Sequence, residues 1–118
     1  MIARIWRGNT RREHAEEYGR FLERKGFSDY RATPGNRGAL LLQRRGEESA
    51  EFVLISFWED FDAVRRFAGQ NPEKAVYYPE DEHYLLGKEP NVAHYEVAPA
   101  SLPEMARWLG AQEVGRSA

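Results

Sequence analysis

The chain contains no cysteine and only three histidines among its 118 residues. The first absence removes disulfides, thiolate metal sites and cysteine nucleophiles together. Excess charge is missing as well: 17 Lys and Arg stand against 19 Asp and Glu, a net charge of −2. Such a balance leaves no electrostatic footprint for nucleic acid or an anionic membrane. No apolar run approaches the roughly 20 residues of a membrane span. The opening MIARIWRGNT holds none of signal-peptide length either. The reading is a cytoplasmic, soluble protein with no nucleic-acid partner and no membrane partner.

What is present suits one globular domain. A chain of this length buries a core without disulfide or metal staples, and 42% of its residues are hydrophobic and 13% aromatic. Ile2 to Arg7 is β-prone and ends at Gly8-Asn9, which predicts a strand. Thr10-Arg11-Arg12-Glu13 fits a capping box that opens a helix. His14, Ala15, Tyr18, Phe21 and Leu22 share one face of that helix, and Gly26 supplies its stop.

Pro34-Gly35-Asn36 signals a turn before the apolar run 39–42, and a charged loop separates that run from FVLISFW, residues 52–58. Two apolar runs so divided predict an antiparallel hairpin. Asp60 caps a second helix that carries Phe61, Val64, Phe67 and Ala68 on one face and ends at Gly69. Asn71-Pro72 predicts a further short helical segment, interrupted at Pro79. Residues 91–97 read as the last strand. Ser101-Leu102-Pro103-Glu104 then opens a terminal helix through Leu109, with Met105, Trp108 and Leu109 as its apolar side.

The order β-α-β-β-α-β is the split βαβ, or ferredoxin-like, α+β arrangement, here with an added C-terminal helix. FVLISFW is apolar on both of its alternating faces. Two helices cover one face of a four-stranded sheet, so the other needs a cover, and a second copy of the same sheet implies a homodimer.

With IARIWRG at its start, TPGNRGALLL in the middle, LISFWEDFDAVRRFAG before an aromatic segment and HYEV at the end, the chain resembles the antibiotic biosynthesis monooxygenase family. The resemblance covers roughly residues 1–98 and leaves 99–118 as a helical extension. It implies a dimeric α+β barrel with an apolar pocket between sheet and helices in each protomer. It further implies a cofactor-independent monooxygenase, or a related enzyme, acting on an aromatic or polyketide-like small molecule. The runner-up is a non-catalytic small-molecule binding protein of the same fold. Some relatives degrade haem with an asparagine, a tryptophan and a histidine. Arg7, Phe67 and Tyr77 stand at those positions here, which disfavours haem, and the expectation is no cofactor and no metal.

KAVYYPEDEHYLL, residues 74–86, concentrates the remaining chemistry. Glu80-x-x-His83 has the spacing of half a di-iron site, but the other half is missing. Three adjacent carboxylates could not share a dry site without strong pKa perturbation. Glu80, Asp81 and Glu82 therefore read as a solvated turn, with the tyrosines reaching inward. His83, His94 and His14 are the neutral-pH bases on offer and the candidate catalytic residues. Tyr18, Phe21, Phe67, Tyr77 and Tyr78 are the candidate substrate-binding wall. Trp6 and Trp58 read as core, Arg44 as either a carboxylate partner or a solvated cation. PGNRG follows no strand and opens no helix, so it is not a phosphate loop.

Overall fold

The computed structural model describes residues 1–108. Four strands, Ile2–Arg11 (β1), Asn36–Arg45 (β2), Ser49–Trp58 (β3) and Ala93–Glu96 (β4), pair antiparallel in the order β2-β3-β1-β4. The result is a small α+β domain, its sheet and strand order compatible with the ferredoxin-like arrangement.

β1 runs four residues beyond its predicted end, and this overturns the predicted Thr10 cap. The β1–β3 ladder continues through Asn9↔Glu51, Thr10↔Ala50 and Arg11↔Ser49. Thr10 is fully buried, its hydroxyl donating to the Arg11 carbonyl, and the helical run opens as a 3₁₀ turn at Arg12–His14 with no side-chain cap. Ladder bonds and the strand preference of a β-branched residue outweigh one capping bond.

Gly26 does not stop the helix. The chain stays helical through Ala15–Phe21 (α1), a π-helical segment Leu22–Gly26, and Phe27–Ala32 (α2). It ends where Thr33 turns extended, at φ −94° and ψ 119°. Thr33 precedes Pro34, whose ring disfavours helical backbone in the residue before it. Gly26 itself keeps helical angles, φ −64° and ψ −52°. The turn that follows does require a glycine. Gly35 has φ 92°, and an added Cβ would lie 2.5 Å from that of Ala63.

Asp60 caps Phe61–Ala68 (α3) as predicted, its Oδ1 accepting from the Ala63 N–H at 2.9 Å, and Gly69 ends that helix at φ 94°. The helix expected after Asn71-Pro72 is instead a turn. Asn71 accepts the Glu73 N–H on its side chain and the Lys74 N–H on its carbonyl. An extended stretch then leads to the short helix Asp81–Tyr84 (α4). Residues 101–108 are helical, with Met105 half-buried and Leu102 and Trp108 exposed. Leu109, predicted to complete that helix's apolar side, lies outside the described residues.

β3 shows how the sheet divides its faces. Phe52, Leu54 and Trp58 are buried under the helices, beside Tyr18, Phe21, Leu22 and Val64. Each large apolar side chain buried in this way contributes about 1.5–3 kcal/mol. Val53, Ile55 and Phe57 point the other way and are only half-buried. Their neighbours on that open face include Ile5, Leu40, Leu42 and Tyr95, the last two 49% and 59% exposed.

Candidate functional site

Between the sheet and the helices lies a cavity of about 30 Å³, room for roughly one or two waters. Its floor is the inner face of the sheet, where Arg4 and Trp6 project two residues apart from β1 and Leu54 rises from β3. Tyr18 of α1 and Tyr30 of α2 close it from above, with Leu22 and Gly26 of the π segment between them. A single-turn π-helical widening is frequent at functional sites. Here it lets tyrosines twelve residues apart meet one cavity. Phe67, Val76 and Tyr78 form the remaining wall and also line a surface cleft of about 300 Å³, so they separate the cavity from solvent.

Two charged side chains are buried in this lining, Arg4 at 3% and Asp81 at 2% exposure. The Arg4 guanidinium donates from Nη1 to the Pro72 carbonyl and to His94 Nε2 (3.1 Å), and from Nη2 to the Lys74 carbonyl (2.9 Å). It also lies 5.7 Å from the centre of the Phe67 ring, within cation–π range. Burial lowers its pKa from the ordinary arginine value.

Asp81 accepts from the Tyr18 hydroxyl at 2.8 Å and, through its other oxygen, from the Tyr78 N–H at 2.6 Å. This corrects the expectation that all three adjacent acids stay in water. Glu80 and Glu82 are exposed, but the α4 turn points the third acid inward. The pairing with Tyr78 is half of a capping box, an acid reaching back three residues to an N–H.

The cavity tyrosines are held as donors. Burial, and next the bond to Asp81, drive the Tyr18 pKa far above the usual phenol value. Burial pushes Tyr30 up to about 12 against the opposing charge of Arg4. Tyr78 is raised by burial and by the bond its hydroxyl donates to Asp29 at 2.6 Å.

Of the predicted binding wall, Tyr18, Phe67 and Tyr78 line the cavity together. Phe21 is buried behind it, 5.8 Å from the Tyr18 ring and 5.9 Å from Tyr78. Tyr77 sits edge-on to Trp6 at 6.3 Å, its hydroxyl donating to the Glu89 carbonyl.

The three histidines do not line the cavity. His14 and His83 form an outer cluster with Tyr84, ring centres 5.7 Å apart, and His83 is exposed. His94 lies behind Arg4. A guanidinium has no acceptor, so His94 Nε2 accepts and the ring is the neutral Nδ1–H tautomer. Burial and then the Arg4 charge hold its pKa below the ordinary value. Among the described residues no group of three His, Cys, Asp or Glu is placed to hold a metal ion, and no helix is long and apolar enough to cross a membrane.

Sequence reasoning missed Arg4, Tyr30 and Asp81. Arg4 had a signal, since strand alternation puts it on the same face as Ile2 and Trp6. No family model and no curated protein matches the chain.

Proposed function

We propose that this chain is a cofactor-independent monooxygenase-like enzyme acting on an aromatic or polyketide-like small molecule held between sheet and helices. The observation that carries the reading is the aromatic cavity lined by one buried cation, one buried carboxyl and three tyrosines, the pattern of a small-molecule site. The strand order and the resemblance to antibiotic biosynthesis monooxygenases support it.

In this reading Asp81, positioned by the Tyr18 hydroxyl, removes a proton from an anthrone-type phenol, and Tyr30 stabilises the delocalised anion as a hydrogen-bond donor. The anion passes one electron to dioxygen, and the radical pair collapses to a carbon–oxygen bond. The hydroperoxide so formed regains a proton and loses water to leave a carbonyl. The substrate supplies every electron, one oxygen atom stays in the product and the other leaves as water. Phe67, Val76 and Tyr78 must move for so large a guest to enter, because the cavity has room only for water-sized molecules.

The barrel is part of the proposal. Val53, Ile55, Phe57, Ile5 and Leu42 leave the outer face of the sheet apolar and incompletely covered, and a second copy packed on it completes a homodimeric α+β barrel.

A non-catalytic binding protein of the same fold is the second reading. It is favoured by Asp81, whose two oxygens already accept from Tyr18 and Tyr78. Oxygen uptake with anthrone as the probe decides between them. The enzyme consumes one dioxygen per anthrone and yields the quinone. Binding of anthrone without uptake establishes the second reading, and no binding removes the anthrone-oxidising reading.

A further inference from the structure

The Arg4 guanidinium is buried among the described residues without a carboxylate partner. It forms no ion pair, and Asp81, the other charged group lining the cavity, is engaged by Tyr18 and Tyr78 instead. An uncompensated buried charge is costly. A guanidinium carries five N–H donors in a rigid fork. Three are used, two from Nη1 and one from Nη2. The two left over are Nε–H and the second Nη2–H, the pair with which an arginine grips a carboxylate through two parallel bonds.

A second donor lies on the same face of the same strand. Trp6 lines the cavity at 7% exposure, and its buried indole N–H makes no hydrogen bond of ordinary geometry, although it faces the Tyr77 hydroxyl outside that lining. Unpaired buried donors are rare in folded proteins. Arg4 thus keeps unfulfilled donors beside a small space with aromatic rings around it.

We propose that the ligand of this cavity is an aromatic carboxylate whose oxygens are bound by Arg4. The inference rests on the sheet–helix cavity being the ligand site, and it narrows the ligand from aromatic molecules in general to aromatic acids. It also orients the guest: the acid lies on the β1 floor, and the ring lies against Phe67, Tyr30 and Tyr78.

Calorimetric titration of the full chain with benzoate and with benzyl alcohol tests this, because the two differ in charge and little in size. Benzoate should bind about tenfold tighter or more, the ratio supplied by one charge-assisted hydrogen bond. Arg4→Met should erase that preference by weakening benzoate far more than benzyl alcohol. Replacing a buried charged group by a well-packed hydrophobic one is often neutral for folding. Should that variant fail to fold, the ratio in the unmodified chain decides alone. Equal or tighter binding of benzyl alcohol overturns the acid subsite while leaving the cavity as an aromatic site, and so does an Arg4→Met chain that keeps the preference. If neither compound binds, the cavity reading falls with it.

Discussion

Asp81 is where composition misleads and geometry decides. Its neighbours Glu80 and Glu82 are exposed, and Glu82 pairs with Lys88 at the surface, where such pairs contribute little. Asp81→Ala should therefore destabilise the fold by about 1–3 kcal/mol, since the Tyr18 hydroxyl is left buried and unpaired. Glu80→Gln with Glu82→Gln should stay within about 0.5 kcal/mol. Urea unfolding of both variants checks the contrast. A run of acids announces solvent, and only a contact with Tyr18, 63 residues away in sequence, shows that one member is buried. Arg4 was legible by strand alternation, but the lack of a partner for its charge was not.

His94 makes a second prediction at this scale. Its pKa is depressed in the fold, so the unfolded chain binds the proton more readily. The stability linked to this group is complete above the unfolded value of about 6.5 and is lost as pH falls through the lower folded value. His94→Gln should therefore lose less stability than the unmodified chain between neutral pH and about pH 5. Denaturation midpoints at the two pH values measure the difference, and identical losses would show that His94 is not held neutral.

At the scale of elements, the long helix is the decisive feature. A stop at Gly26 would have left Tyr30 outside the helical layer. Instead the chain continues as a π segment, and Tyr18 and Tyr30 meet above the same floor. A glycine after an apolar stripe is a sound stop signal, but burial of Phe27 and Tyr30 against the core outweighs it. Gly26→Ala should be tolerated, because the residue has helical angles and the nearest atom to an added Cβ is Leu54 Cδ1 at 3.9 Å. It should raise stability by about 0.4–1 kcal/mol while weakening ligand binding, since the methyl enters the cavity lining. A thermal melt and a benzoate titration on one sample read both effects. The strands were the most legible elements. FVLISFW alternates faces as expected, and the hairpin it forms with 36–45 follows from the charged loop between them.

The whole molecule poses the question of its outer sheet face. Val53, Ile55 and Phe57 give it an apolar centre, and charged Arg44 and Glu51 oppose each other toward one end. If a second copy covers it, light scattering should report twice the 13.7 kDa chain mass. Val53→Asp or Ile55→Asp should then yield monomers, whereas Leu54→Asp, on the buried face, should unfold the chain. A stable monomer for the unmodified protein would remove the barrel. The βαββαβ order was readable because each element carries its own period and punctuation. The cavity was readable only in part: Tyr18, Phe67 and Tyr78 belong to the expected wall, but Arg4, Tyr30 and Asp81 join them through contacts that are purely tertiary.

The most direct test of the account is a structure of the full chain with anthrone bound, with the position of the ring as the readout. The account predicts the ring between the sheet and helices, against Phe67, Tyr30 and Tyr78, with Asp81 within hydrogen-bonding reach of its oxygen or acidic carbon. Anthrone on the outer sheet face, or beside the His14–His83 cluster with the cavity still closed, would contradict it.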